Sequence, residues 1–307
     1  MKFTFKSMRV LAPLSILLAS MATPAVAGPV ELLGEWNFFE KSGDFRDRAG
    51  RHNGVVGYED EAYDGVEGNV MRNKGRAIFE GKPNSIVIVE DDTQGTFDAT
   101  MDITYFRYSA RFKLQYDVLT AENEAGEPVF PANATWNLMQ KGFSNNAGGQ
   151  WKMQIKRING QAYLQCVIKD NPGLQIEATA FDLAIKPTKI HRATCAIDRR
   201  KNLLKAILVN EDNDLPAVRS NPDEGALNLN GVELVASKRG VIPSNFFDIT
   251  PQAGECAANG AGTSEAFGQN VIIGNKPACP NAIANLDTSD QFVGKIYQVK
   301  VTRQTVD

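Results

Sequence analysis

Residues 133 to 170, NATWNLMQKGFSNNAGGQWKMQIKRINGQAYLQCVIKD, constrain the fold more than any other stretch. The spacing predicts three short strands: Thr135 to Lys141, Gln150 to Lys156, and Ala162 to Lys169. In the second, Trp151, Met153 and Ile155 point one way and Gln150, Lys152, Gln154 and Lys156 the other, the period of two that marks a half-buried strand. In the third, Leu164, Cys166 and Ile168 share a face. Asn145 to Gly149 supplies the left-handed positions of a loop, and Asn159-Gly160 is a strong two-residue hairpin signal. Three antiparallel strands with one apolar face cannot stand alone in water. They require a second sheet to cover them.

The stretch from Gln140-Lys141-Gly142 to Gly149-Gln150-Trp151-Lys152-Met153-Gln154-Ile155 resembles laminin-G-like, concanavalin-type jelly rolls of secreted bacterial proteins. Three further segments resemble that family in the expected order. Asp47-Arg48-Ala49-Gly50, continuing to Gly54, is similar to its opening turn, and Ile190-His191-Arg192-Ala193-Thr194-Cys195 to a cysteine-bearing strand in which Ile190 replaces tryptophan. Asp290 to Tyr297 is similar to its closing strand, with Tyr297 in place of the usual aspartate. The resemblance implies a two-sheet sandwich but not an activity, since one fold carries many functions.

At the N-terminus, Lys2, Lys6 and Arg9 precede the apolar run Val10 to Ala22, and Ala25-Val26-Ala27 fits a small-residue cleavage site. This pattern predicts a secretory signal peptide over 1–27 and a single domain over 28–307. The run is too short to be a membrane span, and no later one replaces it. Losing those three basic residues takes the formal net charge from −3 to −6, which argues against a nucleic-acid partner. Four cysteines allow three pairings. Cys166 and Cys195 sit on neighbouring candidate strands, and the resemblance places a cysteine at both; Cys256 and Cys279 flank a Gly-, Ala- and Asn-rich insert. The expected bridges are therefore Cys166–Cys195 and Cys256–Cys279. Zinc is disfavoured because no CxxC spacing exists.

Further strands are predicted over Leu33 to Phe39, Asn69 to Phe79, Ser85 to Val89, Asp102 to Tyr116, Gln175 to Phe181, Ile190 to Asp198, Leu203 to Asn210, Asn270 to Gly274 and Val293 to Arg303. No helical period is sustained and no 20-to-50-residue repeat recurs. The fold class is all-β, an antiparallel two-sheet jelly roll.

Three candidate strands share polar faces of one composition. Arg107, Arg111 and Lys113 lie on the first, Lys152, Gln154 and Lys156 on the second, and Tyr163 and Gln165 on the third. If these strands are neighbours, they form one concave face of cations, amides and an aromatic ring, suited to an acidic polysaccharide. The competing reading is a solvated outer surface. A sharper version is a polysaccharide lyase that cleaves uronic-acid polymers by β-elimination, using Tyr163, Lys156, Arg111 and Gln154. Arg107 and Arg111 keep the arginine spacing of the family 7 alginate lyases, but Lys156 stands where their catalytic histidine would be.

A glycosidase needs two carboxylates about 5–5.5 Å apart for retention, and the acidic run Glu59 to Asp64 does not have the jelly-roll glucanase spacing. His52 falls in a turn, and His191 reads as a sheet residue held by hydrogen bonds. A structural calcium ion at the rim is a further expectation, with Glu35 and Asp290 as oxygen ligands. The leading expectation is a secreted, non-catalytic protein that binds glycan or another extracellular partner.

Overall fold

The computed structural model describes residues 27–306 except 58–67, 83, 92–96, 98–102, 116–118, 120–121, 123, 126–132, 143–149, 170–174, 182, 188, 212–232, 240–269 and 277–289. Residues 1–26 of the expected leader, the acidic run and the expected Cys256–Cys279 bridge fall outside these residues. Within them the strands are β1 (Ala27–Trp36), β2 (Gly54–Val56), β3 (Val70–Arg72), β4 (Ala77–Glu80), β5 (Val87–Val89), β6 (Ile103–Leu114), β7 (Thr135–Lys141), β8 (Gln150–Ile158) and β9 (Gln161–Lys169). The chain continues with β10 (Gln175–Thr179), β11 (Ile190–Asp198), β12 (Leu203–Glu211), β13 (Glu233–Arg239), β14 (Val271–Ile273) and β15 (Val293–Val306).

They form two antiparallel sheets. The eight-stranded sheet runs β13-β12-β11-β6-β15-β4-β3, with β1 also on β15; the seven-stranded sheet runs β10-β9-β8-β7-β14-β5-β2. β15 is long enough to serve three neighbours. One edge pairs with β6 along most of its length, while the other takes β4 at residues 293–296 and β1 beyond 299. Its register with β6 shifts between Ile296 and Gln298, and that bulge lies where the second edge changes partner.

The three strands of the 133–170 stretch are β7, β8 and β9, paired in sequence. Asn159 and Gly160 adopt φ of 51° and 79°, the left-handed pair that this hairpin turn demands. The stretch Asn69 to Phe79 is two strands, because Lys74 and Gly75 take φ of 47° and 78° and turn the chain back on itself. The first strand ends at Trp36, earlier than the alternation predicts. Phe38 is buried at a left-handed φ of 56°, and Phe39 is turned outward and exposed.

The inner faces meet on aromatic rings. Trp151 of β8 lies 4.7 Å from the Tyr108 ring and 5.8 Å from Phe106, both on β6 across the sandwich. Burying a side chain of phenylalanine size contributes about 1.5–3 kcal/mol. Cys166 and Cys195 are bonded, with Cα atoms 5.6 Å apart. The pairing matches the expectation, but its basis does not. The two strands are not neighbours: β9 belongs to one sheet and β11 to the other, so the bond staples the two layers through the core.

Asp47 organises the opening turn. Its carboxylate accepts hydrogen bonds from the backbone N–H groups of Glu35 (2.8 Å), Ala49 (2.9 Å), Arg51 (3.2 Å) and His52 (3.1 Å). At the end of β7, Lys141 turns into the core and pairs with Asp91, both side chains being fully buried. His191 is buried with its ring stacked on Phe112, and its Nε2 lies 2.9 Å from the Lys186 carbonyl. Both observations support a structural role for this histidine.

Two expectations about stability follow. Reducing Cys166–Cys195, which spans 29 residues of chain, should lower stability by about 2–4 kcal/mol in denaturant titration; peptide mapping that finds either cysteine bonded elsewhere would refute the staple. Burial holds His191 below the usual histidine pKa, although its hydrogen bonds oppose the shift. The folded state therefore keeps the ring neutral while the unfolded chain takes up a proton below about pH 6.5. This contribution to stability is complete above that value and is lost as the pH falls through it toward the depressed folded pKa. Melting curves between pH 8 and 5 should show a fall that is blunted in His191→Gln; equal falls in both proteins would clear His191 of the effect.

Candidate functional site

The residues expected to share one concave face lie on two opposite surfaces. Arg107, Arg111 and Lys113 project from β6 on the outside of the eight-stranded sheet, whereas Lys152, Gln154 and Lys156 on β8, with Tyr163 and Gln165 on β9, line the outside of the seven-stranded sheet. The alternation within each strand agrees with the expectation. The expected neighbourhood does not form, because β6 pairs with β11 and β15 rather than with β8. Arg111 is engaged in its own sheet: its guanidinium pairs with Glu211 and lies 5.1 Å from the Tyr297 ring.

On the seven-stranded sheet the register sets polar side chains in rows. Asn137 of β7 stands opposite Gln154, Gln154 opposite Gln165, and Gln165 opposite Thr179 of β10. Gln154 donates to Gln165, whose own amide donates to Glu177 and Thr179, each at 3.0 Å. Asn137 donates to Gln140 at 2.7 Å, and Gln140 and Gln150 both donate to the Gly142 carbonyl at 3.1 Å. These amides are buried, and buried polar groups hold their geometry only when they are hydrogen-bonded. Two acceptors in the row, Asn137 Oδ1 and Gln154 Oε1, have no hydrogen-bond partner among the described residues.

Beside this row the surface opens. Lys156 faces Tyr163 directly across the β8–β9 pair and makes no ion pair among the described residues. The Tyr163 hydroxyl donates to Gln161, and its ring meets Phe181 edge-on at 5.5 Å. Phe181 is 59% exposed. The sequence reading does not include Glu177, Thr179 or Phe181 in the site, although residues 175, 177 and 179 share one parity and alternation turns Glu177 and Thr179 outward together. β10 ends at Thr179, before the expected end of this strand, and Phe181 lies in the turn beyond it.

On the β7 side of the face, Asp290 is enclosed by cations. Its carboxylate accepts from Thr135 (2.7 Å) and Lys276 (2.9 Å), with Lys152 at 3.5 Å. Burial alone would raise its pKa, but Lys152 and Lys276 outweigh this and hold it low. Burial in turn lowers the pKa of Lys152 against the opposing pull of Asp290. Glu35 lies on the outer face of the opposite sheet, where it accepts from Gln298 at 2.9 Å and Asn37 at 3.1 Å. One calcium ion cannot take both Glu35 and Asp290 as ligands, because the whole sandwich separates them. The residues of the lyase reading are likewise divided: Arg111 is on one sheet, and Tyr163, Lys156 and Gln154 are on the other.

No protein-family model matches this chain, and no curated protein sequence matches it. Among solved structures it is similar to the botulinum neurotoxin serotype G binding domain, at 10% identity and a TM-score of 0.43, over 90% of this chain and 48% of that one. It is also similar to the LG1-3 region of the laminin α2 chain, at 9% identity and TM-score 0.39, over 84% of this chain and 35% of that one. A third is peanut lectin, at 9% identity and TM-score 0.37, over 82% of this chain and 97% of that one. The chain thus spans about half the length of the neurotoxin domain, and the sandwich assignment stands on its own strand pairings.

Proposed function

We propose that this protein is a secreted, non-catalytic sandwich that binds glycan on the outer face of the seven-stranded sheet, where β8, β9 and β10 lie side by side. The observation that carries the reading is the exposed Phe181 ring set edge-on against the half-buried Tyr163 ring, beside the Gln154–Gln165 row. Large apolar rings are costly to leave in water, and beside amides, a hydroxyl, a carboxylate and an ammonium group they offer a stacking platform. The hydrogen-bonded Gln165, Glu177 and Thr179 give that platform a rigid polar backing. Lys156, opposite Tyr163, supplies a cation for an acidic sugar. The basic, apolar leader and the Cys166–Cys195 bond support secretion into an oxidising compartment. The non-catalytic reading is supported by the separation of Arg111 from Tyr163, which leaves the elimination chemistry without its expected partners.

Calorimetric titration of the mature chain against oligosaccharides chosen from a glycan array tests this. Tyr163→Ala and Phe181→Ala should each weaken binding by about 0.5–1.5 kcal/mol. Lys156→Ala should weaken only acidic ligands, by about 0.5–1 kcal/mol, and by less at high salt. Arg111→Ala, on the opposite sheet, should change nothing. Binding indifferent to both aromatic replacements would reject this face. Growing ultraviolet absorbance from an unsaturated uronate would replace binding with lyase chemistry.

A further inference from the structure

Among the described residues, the outer face of the eight-stranded sheet holds two pairs of cations set directly opposite each other on adjacent strands, and only one pair is neutralised. Arg111 on β6 faces Arg192 on β11, and Glu211 bridges them, giving one carboxylate oxygen to each guanidinium. Lys113 on β6 faces Lys295 on β15. Neither lysine side chain has an ion pair or hydrogen bond among the described residues. Glu80, the acidic residue on the neighbouring β4, stands opposite Val293 and pairs with neither. Like charges directly opposed across a sheet are destabilising. Such a pair is a liability unless something anionic sits between its members.

The same two lysines line a cavity of about 320 Å³, together with Ile78, Leu114, Gln115 and Pro187. This lies at the small end of the volumes that take small molecules, roughly 300–1,000 Å³. Its floor is drawn close by Gly294. A Cβ there would meet the Lys113 carbonyl oxygen at 2.4 Å, and the residue adopts a φ of 153°. The walls are therefore partly apolar, and the charge on them is positive.

We infer that this cavity binds a small organic oxyanion, a carboxylate or sulfate ester on a compact body, whose charged group bridges Lys113 and Lys295 as Glu211 bridges Arg111 and Arg192. Two ammonium groups provide strong charge-assisted contacts to such oxygens, and Ile78 and Pro187 cover the body. The site is on the opposite sheet from the Tyr163–Phe181 face and does not depend on it.

Melting and titration of the mature chain with glucuronate, inorganic sulfate and glucose test the inference, using Lys113→Gln, Lys295→Gln and Phe181→Ala. Without ligand, each lysine variant should melt at or above the wild-type temperature, because the repulsion is relieved. Glucuronate should raise the melting temperature of the wild type and of Phe181→Ala, and each lysine replacement should weaken its binding about ten-fold. Glucose should do nothing. Lysine variants that melt lower without ligand would overturn the proposal. So would equal shifts in variant and wild type, a response to glucose equal to that to glucuronate, or no response of the wild type to either anion. A response to sulfate but not to glucuronate would overturn the organic ligand.

Discussion

The contact between Trp151 of β8 and the Tyr108 and Phe106 rings of β6 is where the two sheets become one structure. Each sheet alone would leave an apolar face in water, and only their closure removes it. The Cys166–Cys195 bond crosses the same seam, tying β9 to β11 through the core. Every outward-facing feature inherits its position from this closure. Once Trp151 and Cys166 are turned inward, alternation sends Lys152, Gln154, Gln165 and Tyr163 out.

The seam is not wholly apolar. Lys141 and Asp91 form an ion pair with no solvent exposure of either side chain. Taking both charges from water is expensive, and only close pairing with further hydrogen bonds makes it tolerable. Asp91 also accepts from the backbone of Phe97, so the pair ties the end of β7 to the connection that follows β5. Such an arrangement favours one register over its neighbours, since a slip of one residue would turn Lys141 outward and leave Asp91 buried alone.

The two outer faces have different electrostatic characters. The seven-stranded sheet presents a row of largely hydrogen-bonded amides, with charge at Glu177, at Lys156 and around Asp290. The eight-stranded sheet presents cations, some neutralised within the sheet, as Arg111 and Arg192 are by Glu211. A neutral or weakly acidic sugar suits the first face, and a compact anion suits the second.

The sequence by itself determined which residues pair locally and which point inward. The alternation of 150–156 and the Asn159-Gly160 turn specify β8, β9 and their shared register, because strand period and turn geometry are properties of adjacent residues. It also pointed to the Cys166–Cys195 bond, to the outward aspect of Lys152, Gln154, Lys156, Tyr163 and Gln165, and to a structural His191. Only the tertiary structure decided which strands became neighbours. Arg107, Arg111 and Lys113 share composition with the β8 face, yet β15 arrives from the far end of the chain to sit beside β6 and carries them to the other sheet. The same long-range pairing separated Glu35 from Asp290, gave Asp290 two lysines, and set Lys295 against Lys113. Pairing between distant strands depends on the packing of whole faces, and no local pattern records it.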